Sequence, residues 1–294
     1  MEEIKKCLIC GGENFIHLFQ VKDHFLSLEI FSISQCKKCG FKFTDPRPTP
    51  TEAGKYYESQ NYISHSDKPE TLFDKVYFKI RKINLKKKYN LICRYKSGNS
   101  ILDIGCGTGE FLNMFKLNNW KVSGIESNKN AREIARNKNG IEVRDDKSYN
   151  QLEDKQFDVI SMWHVLEHVY DTDFQLKQIK RLLKEDGLVV IAVPNSDSTD
   201  AQIYKQYWAA YDVPRHIYHF TQKSVNDLVS KFDFELIETL PMKFDAYYIS
   251  MLSEKYMNGE KNNMTAFLNG MKSNRHAKKE NNYSSLIYLF KNKK

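Results

Sequence analysis

The stretch "ILDIGCGTGEF", residues 101–111, places three glycines at alternate positions between an apolar run and a predicted helix. Gly105, Gly107 and Gly109 allow the backbone to approach a ligand closely. Their GxGxG spacing differs from the GxxxxGK[ST] of a P-loop and from the GxGxxG of a dinucleotide-binding turn. Glu110 follows directly, and a carboxylate at that helix start opposes a pyrophosphate. The loop therefore favours an adenosine ligand without phosphates.

Apolar strands alternate with helices after this loop. One helix is predicted to begin at Ser127 and to end at Gly140, and a later helix to end at Gly187. Such an alternation predicts an α/β fold with a parallel sheet covered by helices on both faces. The predicted strands are "SILDIG", "WKVSGIE", "IEVRD", "FDVISMW" and "LVVIAVP".

The carboxyl ends of the first two strands carry the predicted ligand site. In open α/β sheets, ligands bind beyond the carboxyl ends of the strands. The glycine loop follows the first strand and Glu126 follows the second, where a carboxylate accepts both hydroxyls of a ribose. S-adenosylmethionine is the common adenosine ligand that lacks phosphates, so it is the predicted cofactor.

Four of the six cysteines form two CxxC pairs, "CLICGG" and "CKKCGF". Each pair is followed by glycine, as in the two knuckles of a zinc ribbon. Short strands are predicted between them, in "NFIHLFQV" and "EIFSISQC". The alternatives are an iron–sulfur site or disulfides, and disulfides are rare in reducing compartments. Cys93 and Cys106 are expected to be buried packing residues. The predicted ligands of a structural zinc ion are Cys7, Cys10, Cys36 and Cys39.

Four ordered motifs make the chain similar to class I S-adenosylmethionine-dependent methyltransferases. They are "ILDIGCGTGEF", "VSGIESN", "FDVISMWHVLEHV" and "LLKEDGLVVIAVPN". The CxxC pairs and "WAAYDVPRHIYHFT" resemble the zinc-ribbon-bearing branch that methylates small molecules. The resemblance implies a Rossmann-like, doubly wound, mostly parallel sheet whose reversed last strand is "SSLIYLFK". It also implies a zinc ribbon over 1–45, a linker or lid over 46–70 and a cofactor-binding domain over 71–294.

The resemblance also implies roles for single residues in binding the cofactor. Asp103 helps to hold the amino group of the methionine part, and Glu126 binds the ribose. Asp145 or Asp146 lies near the adenine amino group. The predicted cofactor residues are Asp103, Gly105, Gly107, Gly109, Glu126, Asp145 and Trp163.

Histidines are the candidates for a general base, because their ordinary pKa lies near neutrality. A helix starting near residue 164 places His164, Glu167 and His168 on one face. This face is either a base with its carboxylate, part of a metal site, or a structural hydrogen-bonded pair. After the fifth strand, His216 is the favoured base.

The segment around His216 suggests where the acceptor binds. Trp208, Tyr211 and Tyr218 either wall an acceptor pocket or pack in a connection, and Arg215 is placed to pair with an acidic group. Tyr56, Tyr57, Tyr62 and His65 of the linker are candidates to close over the site.

The leading functional hypothesis is methyl transfer to oxygen or carbon of a small molecule, either a quinone-like aromatic or a nucleotide-linked sugar. One alternative is RNA or protein methylation, because residues 75–96 hold nine Lys/Arg and no acid. Nucleic acid is therefore a possible but not a favoured partner, since such a run is also an ordinary solvated helix face. A further alternative is a non-catalytic zinc-ribbon adaptor.

Composition fits a packed protein, with 41% hydrophobic residues in 294. No apolar run approaches the ~20 residues of a membrane span. The N-terminus lacks the pattern of a secretion signal, so a cytoplasmic protein is expected.

Overall fold

The computed structural model describes residues 1–57, 72–260 and 262–293. Residue contacts divide the chain into two compact units. The first unit contains the described residues among 1–58, 164–172 and 191–289. The second contains the described residues among 59–163, 173–190 and 290–294. The predicted boundaries at 45 and 70 stay a prediction.

Strands and helices alternate through the middle of the chain, as the sequence predicts. The strands are β1 (Phe15–Lys22), β2 (Ile30–Cys36), β3 (Lys42–Thr44), β4 (Ser100–Ile104), β5 (Lys121–Ile125), β6 (Val143–Arg144), β7 (Phe157–Trp163), β8 (Leu183–Pro194), β9 (Tyr218–His219), β10 (Phe234–Pro241) and β11 (Ser285–Asn292). The helices are α1 (Leu72–Tyr95), α2 (Glu110–Lys116), α3 (Lys129–Asn139), α4 (Thr172–Leu182), α5 (Thr199–Tyr204), α6 (Gln222–Val229), α7 (Asp245–Asn258) and α8 (Asn263–Glu280).

The central sheet has seven strands in the order β10-β11-β8-β7-β4-β5-β6. β4 pairs in parallel with β5 and with β7, and β5 pairs in parallel with β6. All five residues of β4 are buried, including the polar Ser100 and Asp103, as expected for a central strand of a sheet covered on both faces. Ile104 lies opposite both Ile125 and Met162, so three strands end at one edge. The predicted α/β, Rossmann-like, mostly parallel sheet is confirmed, with "SLIYLFKN" as a strand between β8 and β10.

Two predicted helix boundaries are wrong. Asn128, not Ser127, caps α3, because its side chain accepts the N–H of Ala131 at 3.0 Å. α4 ends at Leu182, and Gly187 lies inside β8, where a Cβ would approach the Leu183 side chain to 2.5 Å. That glycine serves close packing rather than a helix stop. Gly140 does end α3 in the left-handed conformation, as predicted.

The four-stranded sheet of the first unit has the order β1-β2-β3-β9. β1 and β2 are antiparallel and confirm the two strands predicted between the CxxC pairs. β9 is a strand that the sequence did not predict, and it pairs with β3. Thr44 of β3 donates its hydroxyl to the carbonyl of His216 at 2.8 Å. The ribbon sheet thereby fixes the backbone beside the favoured base.

The linker and the basic helix are described in part. Residues 53–56 form a short 3-10 helix, whereas Tyr62 and His65 lie outside the described residues. The basic run forms α1, as expected for an amphipathic segment. Cys106 is buried as predicted, but Cys93 is exposed on α1, contrary to expectation. Among the described helices, none combines the length and apolar character that a membrane span requires.

Gly124→Ala is expected to destabilise the second unit. A Cβ at Gly124 would lie 2.5 Å from Cys106 Sγ and 3.1 Å from Val143 Cγ2. Overpacking of this kind costs roughly 1–3 kcal/mol, measured as a lower free energy of unfolding in urea. Adding Cys106→Ala removes the first clash and should recover most of the loss. Gly54→Ala is the control, since a Cβ there meets nothing within 4 Å. Equal effects of the two single substitutions would contradict the analysis.

Candidate active site

The glycine loop after β4 has the backbone that its glycines were expected to allow. Gly105, Gly107 and Gly109 have φ angles of 71°, 53° and 78°, in the left-handed region that favours glycine. A Cβ on Gly107 would meet nothing within 4 Å, so this residue faces open space. A Cβ on Gly109 would lie 3.1 Å from that of Ala135 on α3. Gly107 therefore keeps the loop open to a ligand, whereas Gly109 allows close helix packing.

Glu126, directly after β5, is held by backbone donors on both sides. Its Oε2 accepts the N–H of Gly107 at 2.9 Å, and its Oε1 accepts the N–H of Asn128 at 2.9 Å. The Ser127 hydroxyl lies 3.5 Å from Oε1 as well, whereas Oε2 has one donor among the described residues. The side chain is thus held in place at the loop, and its binding of a ribose stays a prediction.

Asp103 is an almost fully buried carboxyl inside β4. Burial raises its pKa to about 7, although the hydroxyl that Ser161 donates at 2.6 Å and the charge of Lys88 act in the opposite direction. The negative charge of Glu126 adds to the rise. A positive group beside Asp103 would stabilise its ionised form, and an ammonium group is one such partner.

Trp163 ends β7 beside the same loop-bearing edge of the second unit. Its ring stands edge-on to Phe111 with centroids 5.5 Å apart, and Lys88 Nζ lies 4.0 Å from the ring centroid. Its buried Nε1–H has no hydrogen-bond acceptor in the part of the chain that the structure describes. A buried donor without a partner is costly, so this N–H fits a position beside a bound ligand.

Asp145 follows β6, which pairs with β5 at Ile125 opposite Arg144. Its carboxylate accepts the hydroxyl of Ser148 at 2.6 Å and the N–H of Lys147 at 3.1 Å. The bond from Ser148 lowers the pKa of Asp145, so the group is anionic at neutral pH. Asp146 is exposed, whereas the Asp145 side chain is held by these two hydrogen bonds.

A second cluster of candidate residues surrounds Glu167 in the first unit. Glu167 is fully buried in a 3-10 turn over residues 166–168. His164 Nδ1 lies 3.4 Å and His216 Nε2 3.9 Å from its Oε1. Neither oxygen has an aligned hydrogen-bond donor among the described residues. The α-helix predicted to start at His164 is wrong, because His164 itself has a φ of 57°. Its ring nevertheless meets Glu167.

His164 lies between two carboxylates. Its Nε2 is 3.4 Å from Asp245 Oδ2 on α7, in addition to its contact with Glu167. Burial opposes the charged form, but the contacts with Asp245 and Glu167 outweigh it and raise the pKa of His164 to about 9. His164 is therefore an imidazolium at neutral pH and has no lone pair for accepting a proton. Sequence reasoning missed Asp245, which lies in the part of the chain where the family motifs are absent.

His216 has the tautomer that a general base needs. Its Nδ1 lies 2.8 Å from the carbonyl oxygen of Ala210. Because a carbonyl only accepts, Nδ1 carries the hydrogen, and in the neutral ring Nε2 keeps its lone pair beside Glu167. The structure thus brings together His164, Glu167 and His216, with Nε2 of His216 as the atom able to take a proton.

The other histidines of the cluster are neutral. Burial and the neighbouring charge of His216 lower the pKa of His168 to about 4. His168 Nδ1 lies 2.9 Å from the carbonyl oxygen of Arg215 and 3.0 Å from the hydroxyl of Tyr57. Tyr57, one of the linker tyrosines, therefore contacts the cluster. His219 is buried against Thr44. Burial lowers the pKa of His219, so its ring is neutral.

Of the two alternatives for the segment around His216, burial favours the packed connection over the acceptor wall. Trp208, Tyr211 and Tyr218 are all buried, and Trp208 donates its Nε1–H to Asp200 at 2.8 Å. Arg215 is buried between two carboxylates. Its Nη2 lies 2.9 Å from Asp23 Oδ1 and 2.7 Å from Asp212 Oδ1. Its charge is already neutralised, so the prediction that Arg215 pairs with an acidic acceptor is not supported.

The sequence predicts the alternative of a cation for His164, Glu167 and His168, but the atoms that converge belong to a set with His216 in place of His164. One atom each of Glu167, His168 and His216 lies within 4.8 Å of the others. Two imidazoles and a carboxylate are a donor set that divalent transition metals accept. The geometry supports either a general base with its carboxylate or a bound cation.

The four cysteines predicted to bind zinc converge in the first unit. Sγ of Cys7 lies 3.5 Å from that of Cys39, Sγ of Cys10 lies 3.5 Å from that of Cys36, and all four lie within 4.8 Å of one another. Zinc–sulfur bonds of about 2.3 Å in a tetrahedron place sulfurs about 3.8 Å apart. A Cβ on Gly12 would lie 3.3 Å from two of the sulfurs, so the glycine gives them room. This donor set fits a closed, structural zinc site.

Comparisons with known proteins agree with this geometry. Residues 64–239 match a protein-family model described as a methyltransferase domain. A ubiquinone biosynthesis O-methyltransferase of Pelagibacter ubique is 35% identical over 136 residues, covering 44% of this chain and 56% of that protein. A demethylmenaquinone methyltransferase of Staphylococcus saprophyticus is 29% identical over 123 residues, covering 38% and 53%. The chain thus spans about half the length of the curated relatives it matches.

Among solved structures, the PH0226 protein of Pyrococcus horikoshii aligns with a TM-score of 0.50 and 14% identity, covering 81% of this chain and 99% of that one. This likeness concerns the fold alone. The family model, however, covers more than half of the chain and includes the glycine loop, Glu126 and the strands that carry them. The chain belongs to the class I S-adenosylmethionine-dependent methyltransferases.

Proposed function

We propose that the chain transfers a methyl group from S-adenosylmethionine to a hydroxyl oxygen of a small, quinone-like aromatic acceptor. The observation that carries the proposal is the lone pair on Nε2 of His216, 3.9 Å from the buried carboxylate of Glu167. A hydroxyl needs a base when it is methylated, because it must lose its proton. The relatives named for ubiquinone and menaquinone compounds support an aromatic acceptor.

The cofactor, when bound, supplies an activated methyl group. The proposed holders are Glu126 for the ribose, Asp103 for the amino group, the glycine loop for the methionine part, and Asp145 and Trp163 for the adenine side of the pocket. Their role is to align the cofactor and to exclude water from it.

The proposed base chemistry takes place around Glu167. His216 Nε2 accepts the proton of the acceptor hydroxyl, and the imidazolium that forms faces the Glu167 carboxylate. Glu167 stabilises that charge, as fixed dipoles and charges do in a site from which water is excluded. His164, already an imidazolium, is a positive charge that favours the deprotonated acceptor and keeps Glu167 ionised. His164 is thus proposed as an electrostatic residue rather than as the base.

His216→Asn is expected to lower the rate of methyl transfer by about 10²- to 10⁴-fold, since Asn keeps a donor for Ala210 but has no basic nitrogen. The measurement is transfer of labelled methyl from S-adenosylmethionine to a panel of catechols and quinols. Affinity for S-adenosylhomocysteine by calorimetry should stay unchanged. His17→Asn, on the exposed face of β1, is the control.

Three results would decide against parts of this proposal. Full activity of His216→Asn would exclude His216 as the base. Loss of wild-type activity on dialysis against a chelator, with recovery on adding Fe²⁺ or Ni²⁺ and not Zn²⁺, would favour the cation at Glu167, His168 and His216. Binding of S-adenosylhomocysteine without methylation of any panel compound would contradict the aromatic acceptor and leave the cofactor assignment in place.

Asp103→Asn is expected to change stability and cofactor affinity in opposite senses. A carboxyl whose pKa rises to about 7 on folding destabilises the folded state progressively as pH rises from about 4 to 7. The Asn variant should therefore melt several degrees higher than wild type at pH 8 and close to wild type at pH 4. Its affinity for S-adenosylhomocysteine should fall at least about tenfold, through loss of a charge-assisted hydrogen bond.

Asp158→Asn is the matched control at the opposite end of the neighbouring strand. Burial there is outweighed by hydrogen bonds from Ser100 and from the N–H of Asn99, so the pKa of Asp158 is lowered on folding. Its stabilising effect is present at pH 8 and is lost in acid, so this variant should melt lower at pH 8. A lower melting temperature for Asp103→Asn at pH 8 would contradict the argument.

We also propose that Cys7, Cys10, Cys36 and Cys39 hold one structural zinc ion. The purified chain should contain one equivalent of zinc by elemental analysis. Cys36→Ser should lose it and should make the two CxxC turns more accessible to protease, because the metal is what would join one turn to the other. Cys93→Ser, at an exposed cysteine of α1, should keep the metal. Stoichiometric iron with visible absorbance would contradict zinc.

A further inference from the structure

Helix α8 exposes its large apolar side chains. Met264, Phe267, Leu268 and Met271 are 71%, 55%, 48% and 46% exposed. Their spacing of i, i+3, i+4 and i+7 places them on one stripe of the helix. An exposed apolar patch of this kind, unlike single apolar residues, marks a surface that another body covers.

The opposite face of α8 consists of small residues that attach it firmly. Gly270 approaches α7 so closely that a Cβ would lie 2.8 Å from Tyr247 Cδ1. Ser273 donates its hydroxyl to the buried carboxylate of Asp200 at 2.7 Å, and Ala266 and Ala277 are buried on the same side. The helix is therefore fixed in the orientation that directs its large residues outward.

The exposed stripe continues into positive charge. One and two turns beyond Met271, the same face carries Arg275, Lys278 and Lys279, and Lys272 lies at its border. α8 holds four Lys/Arg and one Glu, its last residue. Within the described parts of the chain, none of these four cations forms an ion pair with a carboxylate.

We propose that this stripe of α8 docks on the surface of an anionic lipid bilayer, with Met264, Phe267, Leu268 and Met271 entering the interface and the basic end contacting phosphate headgroups. An apolar stripe beside Lys and Arg is the pattern of helices that lie in a membrane interface, and cations add affinity for anionic lipids. A second copy of this chain fits less well, because the stripe has no acid to meet the partner's cations. The inference does not depend on which acceptor is methylated.

The test is flotation of the full chain with vesicles of phosphatidylcholine, with and without phosphatidylglycerol. Wild type should float with the anionic vesicles, and added salt should reduce its binding. Phe267→Ser combined with Leu268→Ser should bind at least about tenfold more weakly. Leu117→Ser, at a leucine of the second unit that is 72% exposed, should bind as wild type does. Melting temperatures verify that each variant folds.

A charge variant keeps the test decisive if the apolar variant does not fold. Lys278→Glu with Lys279→Glu should abolish the preference for anionic vesicles and leave the melting temperature unchanged. Failure of wild type to float with anionic vesicles would overturn the proposal. So would a dimer in sedimentation velocity that Phe267→Ser with Leu268→Ser dissociates, without any binding to vesicles.

Discussion

The carboxylate of Glu126 connects the glycine loop to the start of α3, and the whole cofactor edge depends on it. One oxygen accepts the N–H of Gly107 and the other that of Asn128. In a left-handed turn, backbone N–H groups have no partner in a regular helix or sheet. A buried donor left unpaired costs about 1–3 kcal/mol. Glu126 satisfies two of them at once. The loop can therefore remain open at Gly107 without collapsing, and the same carboxylate faces the predicted ribose.

In the first unit, Glu167 is a buried carboxylate that also depends on its neighbours for stabilisation. A fully buried carboxylate is stable only beside positive charge. Burial opposes ionisation of Glu167, but the contact with His164, which lies 3.4 Å from its Oε1, helps to lower its pKa below the ordinary value. Asp245 on the other side of His164 keeps that ring protonated. The surroundings thus give two neighbouring histidines different charges: His164 is charged and His168 is neutral.

The segment between β10 and β11 contributes to the proposed base chemistry and to the proposed membrane-binding surface. α7 carries Asp245, which sets the charge of His164, and α8 packs on α7 through Gly270. Because small residues form the inner face of α8, its large side chains have no place in the core. A helix that only added to the core would direct its large apolar side chains inward. The segment thus couples an electrostatic role near the candidate base to an outward apolar surface.

The sequence by itself determined the α/β sheet, the glycine loop, Glu126 and the four cysteines. Each of these is recognised from the spacing of residues that lie close together in the chain. It favoured His216 over His164 as a candidate base but did not determine their charge states: Asp245, distant in the chain, lies against His164 only in the folded protein. Arg215 looked available for an acceptor until Asp23 and Asp212 were found to neutralise it. Protonation and burial depend on partners that only chain folding brings together, so those decisions belong to the tertiary structure.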